Sequence, residues 1–222
     1  MKQLTMSQPL YQQAYEEIKE LILTGRISPG SRITVTKLAE HYQISRTPLR
    51  EALRQLQKEG LLIQDNLGST VVELNKKDFE ELYFCRTILE KEIIQLVVKD
   101  ISDEKLKRAE KILTETEELL IEEPLEEDKE LELLKLNTKF HETLTDSCSN
   151  KLLIEMLGQV RNLLLLYRAK ILKYSEYNKA IIEEHRDILN AIKGGDSKKA
   201  MEVIETHLKR DLVRGIKVFE DR

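Results

Sequence analysis

The sequence predicts a mostly α chain in two parts: an N-terminal unit of three short helices with a β-hairpin, and a C-terminal all-α antiparallel helical bundle. Three observations predict it. Only 8 Gly and 4 Pro punctuate 222 residues, which favours long helices over a many-turn β fold. Apolar residues recur at helical spacing over most of the chain. One stretch, LLIQDNLGSTVVEL (61–74), breaks that period with two β-rich runs around a turn at Asp65–Gly68. The junction falls at NKKD (75–78), giving domains at 1–74 and 75–222.

Taken in order, Leu10, Ala14, Ile18, Leu21 and Ile22 mark a helix over 9–25, ended by Gly25. SPGSRI is a turn leading into a very short extended piece. Thr34 or Thr36 can cap a second helix, KLAEHY, and QIS is a tight turn. Ser45 is expected to cap a third helix with Pro48 in its first turn, and Gly60 stops it. Six helices are then expected at 78–99, 103–122, 127–147, 150–173, 176–193 and 197–219. They are separated at Asp100–Asp103, Pro124, Ser147–Asn150, Tyr174-Ser175 and Gly194-Gly195. The acidic stretch EELLIEEPLEEDKELELL reads as a solvated helix–loop–helix surface.

Composition excludes several classes. Hydrophobic residues are 41% and charged residues 34%, which is a globular and not a disordered balance. No run of 18 apolar residues predicts a membrane span, and the N-terminus has no signal-peptide pattern, so the expected location is the cytoplasm. Cys85 and Cys148 are too few for a disulfide framework and are not spaced as a metal pair. The formal net charge of −4 divides as +1 over residues 1–74 and −5 over the remainder. The local field of the first part therefore does not oppose a nucleic-acid partner.

The third helix carries the first functional signal. Arg46, Arg50, Arg54 and Lys58 sit four apart on one side, with Leu49, Ala52, Leu53 and Leu56 on another. The apolar face must pack on the first two helices, which holds the basic face outward. A helix fits the DNA major groove, where an Arg fork can bond guanine while its neighbours neutralise phosphates. The preceding short helix and tight turn make this a helix-turn-helix, and the hairpin that follows makes a wing.

These residues, SRTPLREALRQLQKEGLL with LAEHYQI and GRISPGSRI before them, resemble the winged helix-turn-helix of GntR-type bacterial transcription regulators. The resemblance implies DNA contacts from Ser45, Arg46, Thr47, Pro48 and Arg50, and from Gly68 at the wing tip. It also implies an inverted-repeat operator in double-stranded DNA bound by a homodimer.

Histidine carries the second signal. His41 reads as a surface residue. His141, His185 and His207 fall on three different bundle helices at inward-facing positions, and Asn137 shares the face of His141. Imidazoles from facing helices can converge on one divalent transition metal, with zinc or nickel favoured. NTKFHETL, IIEEHRDILNAIKGGD and IETHLKRDL resemble the FCD-type effector domain of the FadR-like branch, in which an Asp and three His hold a metal and a small carboxylate completes the shell. The resemblance implies metal ligation by His141, His185 and His207, with Asn137 at the Asp position. It implies an effector-facing role for Arg86; Arg161 is a further effector-binding candidate. HETLT lacks the second His of a zincin, and no phosphate loop or nucleophile setting is present. An alternative of another class is a metal-dependent enzyme tethered to DNA by the first domain.

Overall fold

A computed structural model describes residues 9–65, 68–121, 127–172 and 175–220. It divides into two compact units, Met1–Leu74 and Asn75–Arg222.

The first unit runs α1 (Leu10–Leu23), β1 (Arg32–Ile33), α2 (Val35–Tyr42), α3 (Arg46–Lys58), β2 (Leu62–Asp65) and β3 (Gly68–Val71). Its three strands form one antiparallel sheet in the order β1-β3-β2. The expected hairpin is therefore joined by the short extended piece, with Arg32 opposite Thr70 and Ile33 opposite Ser69. A two-residue strand has no period to read, which is why its pairing escapes the sequence. Thr34 caps α2 by accepting from the Lys37 amide at 3.4 Å. Ser45 stands at the N-cap of α3 in extended conformation, but its side chain makes no capping bond, contrary to expectation. Ala14, Leu49 and Ala52 form a small core against Tyr15, Val35, Leu38 and Tyr42.

The second unit has six helices among its described residues: α4 (Lys76–Asp100), α5 (Asp103–Leu119), α6 (Glu127–Thr145), α7 (Lys151–Leu172), α8 (Ser175–Lys193) and α9 (Ser197–Glu220). Their bounds lie within about three residues of the expected ones, less than one helical turn. Asn75 and Asp78 form a reciprocal capping box at the start of α4, and Ser102 accepts from Lys105 N at the start of α5. The Pro124 break, the middle of the acidic stretch and Tyr174 lie outside the described residues. The main core joins Ile94, Ile112, Phe140, Ile188, Ile204 and Leu208 from five helices. Phe79, Tyr83, Tyr167 and Phe219 form an aromatic cluster beside it. Gly215 makes that cluster possible, because a Cβ there would stand 2.3 Å from Phe79 Cζ. No helix of the described residues is long and apolar enough to cross a membrane.

Candidate functional site

Helix α3 divides as its sequence predicts. Leu49, Ala52, Leu53 and Leu56 are buried, whereas Ser45, Arg46, Thr47, Arg50, Arg54 and Lys58 are exposed and Pro48 is half-buried. Arg54 makes a loose ion pair with Glu51 at 3.9 Å, fully in solvent and worth little. The far end of the helix is clamped. Tyr15 Oη donates to Glu59 Oε1 at 2.7 Å and Lys19 Nζ to Glu59 Oε2 at 2.8 Å. Gln57 Nε2 donates to Ser69 Oγ at 3.0 Å and ties α3 to strand β3 of the wing. Gly68 has φ +139°, a conformation that favours glycine, and a Cβ there would meet Ile33 O at 3.3 Å. Asn66 and Leu67, the rest of the wing turn, lie outside the described residues. His41 is exposed, as expected.

Inside the bundle, α6 presents Asn137 and His141 one turn apart, α8 presents His185, and α9 presents His207. All four are buried. The ring centroids of the three histidines lie 4.9–5.3 Å apart. Their available ligand atoms all fall within 4.8 Å of one another, and the three could hold a metal ion. Each Nε2 is buried without a hydrogen-bond partner. Buried nitrogens are ordinarily paired, so three such orphans on rings this close together fit a shared ion. The Nδ1 side is supported in two cases. His207 Nδ1 is 2.8 Å from Glu184 Oε2, a partner that fixes its tautomer, and His141 Nδ1 faces Glu90 Oε2 at 3.8 Å. The His185 ring stacks on Phe140 at 4.4 Å.

Charged side chains surround this centre. Arg86 Nε donates to Glu90 Oε1 at 2.7 Å on the same face of α4. Arg161 Nε also donates to Glu90 Oε1, at 3.2 Å, and its Nη1 to Thr145 Oγ1 at 3.1 Å. Arg168 on α7 donates to Asn137 Oδ1 through Nη1 and to Asp211 Oδ2 through Nη2. Arg214 Nη1 donates to Asp211 Oδ1 at 3.0 Å. Burial would raise the Glu90 carboxyl, yet Arg161 and Arg86 hold it down at about 2. Burial opposes ionisation of Asp211 too, and Arg168, His207 and Arg86 overcome it. Burial, then His185 and Arg86, push His141 well below the ordinary imidazole value. Burial, then His207 and Arg168, do the same to His185. Both rings are therefore neutral near pH 7, the state in which an imidazole nitrogen can ligate a metal.

The structure thus brings His141, His185 and His207 together with Asn137, Arg86 and Arg161. The i,i+4 pair of Arg86 with Glu90, readable in sequence as a surface pair, is buried. Sequence reasoning missed Arg168, Glu184, Asp211 and Arg214, and it read Glu90 only as a surface partner of Arg86. A signal existed: Asp211 follows His207 by four residues, and Arg168 follows Arg161 by seven, so each shares a face with a residue already singled out. A narrow cleft lined by Thr116, Leu120, Leu133, Ile181 and Phe140 reaches Asn137 and His185.

Comparison with known proteins agrees with both parts. Residues 10–72 match the model for bacterial regulatory proteins of the gntR family, and residues 81–210 match the FCD domain. The chain belongs to the GntR family of transcription regulators and carries a C-terminal FCD domain. It is 35% identical over 206 residues to the HTH-type regulator YdhC of Bacillus subtilis, covering 91% of this chain and 89% of that one. It is 28% identical to LutR of Bacillus subtilis, covering 85% and 93%, and 26% identical to the gluconate operon transcriptional repressor of Bacillus licheniformis, covering 81% and 74%. The solved structure of McbR/YncC from E. coli superposes with a TM-score of 0.79 at 21% identity, covering 96% of this chain and all of that one. A putative GntR regulator from Rhodococcus sp. RHA1 gives 0.74 at 18%, covering 93% and 97%. These two show the fold alone. The chain is a DNA-binding transcription regulator and not an enzyme, since its relatives are regulators; the DNA-tethered enzyme falls as an alternative.

Proposed function

We propose that this regulator binds an inverted-repeat operator as a homodimer in the cytoplasm, and that a small carboxylate held at a divalent metal in the bundle changes that binding. The observation that carries the reading is the set of three buried histidines whose ligand atoms lie within 4.8 Å of one another, each with an unpaired Nε2, beside buried arginines. His141, His185 and His207 would hold the ion, with zinc or nickel favoured by an all-imidazole set. The ion would supply concentrated positive charge for an anion. Arg86 and Arg161 would orient that anion. Asn137 Oδ1 already accepts from Arg168, so that as a ligand it would share its oxygen with the guanidinium. One relative is named for the gluconate operon, an operon of a sugar carboxylate, which agrees with a carboxylate effector.

On the DNA side, Arg46, Arg50 and Arg54 are placed for base edges and phosphates. Ser45, Thr47 and Pro48 would approach the backbone at the start of α3, with Gly68 shaping the wing. Two-fold DNA is matched by a two-fold protein. Phe84 and Ile88 on α4 and Leu152 and Met156 on α7 are exposed apolar side chains on two packed helices, and they support a bundle-borne dimer contact. The carboxylate shifts DNA affinity only through its differential affinity for two arrangements of the dimer.

The test pairs elemental analysis with operator titration, using an operator selected from random duplexes. The parent protein should carry a transition ion that a chelator removes. His185→Ala should lose the ion and the carboxylate response while still binding DNA. Equal metal in both proteins would sink the metal reading.

A further inference from the structure

We infer that the Arg168 guanidinium and a divalent ion compete for the Asp211 carboxylate, so that Arg168 sets the ion affinity of the histidine centre and Asp211, not Asn137, is its anionic ligand. This rests on the reading that the three histidines hold a metal.

Three imidazole ligands bring a divalent ion no negative countercharge. Asn137 gives none either, and its amide oxygen already accepts from Arg168 Nη1. A carboxylate must therefore come from elsewhere. Three buried carboxylates lie near the histidines, and which ring nitrogen each one faces separates their roles. Glu184 faces His207 Nδ1 at 2.8 Å and Glu90 faces His141 Nδ1 at 3.8 Å. Both stand behind the rings, where they orient them. Asp211 Oδ2 lies 3.7 Å from His207 Nε2, a buried nitrogen that, like the Nε2 of His141 and His185, has no hydrogen-bond partner. It is one helical turn beyond His207, so it occupies the same face of α9.

The two oxygens of Asp211 are engaged differently. Oδ1 accepts from Arg214, which also holds Glu184 and so braces the carboxylate from outside. Oδ2 accepts from Arg168, with Arg86 Nη1 at 3.7 Å. The oxygen that faces the His207 imidazole is thus the one held by Arg168. An ion entering between the Nε2 nitrogens would meet that same oxygen, and its charge would repel the guanidinium in a low-dielectric interior. Arg168 also bridges Asn137 to Asp211, so displacing it unlinks α6 from α9 across α7. Ion uptake and helix arrangement are coupled through one side chain.

The experiment measures Zn2+ affinity of the full chain by competition with a chromogenic chelator, with helical circular dichroism as the folding control. Arg168→Gln should tighten binding about 10-fold or more, and Asp211→Asn should weaken it by a similar factor, the range in which partners of a metal shell act. An Arg168→Gln affinity equal to or weaker than the parent overturns the inference. So does an Asp211→Asn affinity equal to the parent, or an Asn137→Ala loss larger than the Asp211→Asn loss. If Asp211→Asn does not fold, the Arg168→Gln arm decides alone. Should the parent bind Zn2+, lose it in His185→Ala and ignore both substitutions, the metal reading stands and only the competition fails. If neither the parent nor Arg168→Gln takes up Zn2+, both fall. Uptake by Arg168→Gln but not by the parent supports the competition in its strongest form.

Discussion

Arginine lives under opposite conditions in the two units. On α3, Arg46, Arg50 and Arg54 stand exposed to solvent, Arg54 in a loose ion pair with Glu51. In the bundle, Arg86 is 2% exposed and Arg168 8% exposed, and each is held by buried acceptors. The same functional group is a recognition element in one setting and a fixed part of the interior in the other. Desolvation makes the difference. An exposed guanidinium surrenders water when a ligand arrives, whereas a buried one has already done so and is stable only while its carboxylates remain. The exposed set can therefore be substituted with little effect on folding, whereas truncating the buried set carries a stability cost.

The largest effect should come from breaking the buried network. Arg86→Ala leaves Glu90 with Arg161 alone and removes one cation from Asp211. Leaving a buried charge wholly unpaired costs about 3–5 kcal/mol, and with Arg161, Arg168 and Arg214 still in place the expected loss is about 2–3 kcal/mol. Urea unfolding followed by helical circular dichroism, a signal dominated by the six bundle helices, should show it. A loss under about 1 kcal/mol would mean that the network relaxes into solvent and that the contrast with α3 is overstated.

The second effect belongs to the exposed set. Arg50→Ala and Arg46→Ala should each cost about 1–3 kcal/mol of specific operator binding. Their folding stability should stay within about 0.5 kcal/mol of the parent. Lys58→Ala, near the end of the helix, should cost less and chiefly lower the salt dependence, as a phosphate contact does. An Arg50→Ala protein that binds operator as well as the parent in a fixed-salt gel shift would mean that α3 is not the reading helix.

The contrast also explains what was legible in the sequence. The α3 pattern could be read because both its faces answer to one simple rule, apolar inward and basic outward, repeated at helical period. The histidines were found because the residue type is scarce and its ligand chemistry specific. Arg168, Asp211 and Glu184 were passed over because a charged residue on an amphipathic helix is ordinarily solvated, and nothing in one helix alone says otherwise. Only packing shows that Arg161 and Arg168 from α7 meet Glu90 from α4 and Asp211 from α9. Ser45 shows the converse. Its residue type and position satisfy the capping rule, yet its side chain makes no capping bond. Its exposure leaves that hydroxyl available to an outside partner.

The smallest expected effect sharpens the comparison inside the first unit, where the C-cap of α3 carries a partly buried ion pair. Glu59, Tyr15 and Lys19 join the end of α3 to α1. Burial would raise the Glu59 carboxyl, but the hydrogen bonds from Lys19 and Tyr15 bring it below its ordinary value of 4.5. The sign follows from proton binding. Below about pH 4.5 the unfolded chain takes up a proton at Glu59 that the folded chain resists. The stabilisation is present above that pH and is lost as pH falls through the lower folded value. A partly buried, hydrogen-bonded pair of this kind contributes about 1 kcal/mol. Amide hydrogen exchange in α1 and α3 reads this unit separately from the bundle. In the parent, protection there should fall between about pH 5 and pH 3. Glu59→Gln, which cannot titrate, should start less protected at pH 6 and lose less on acidification. Parallel pH dependence in the two proteins would show that the clamp is incidental and that α3 is positioned by its apolar face alone.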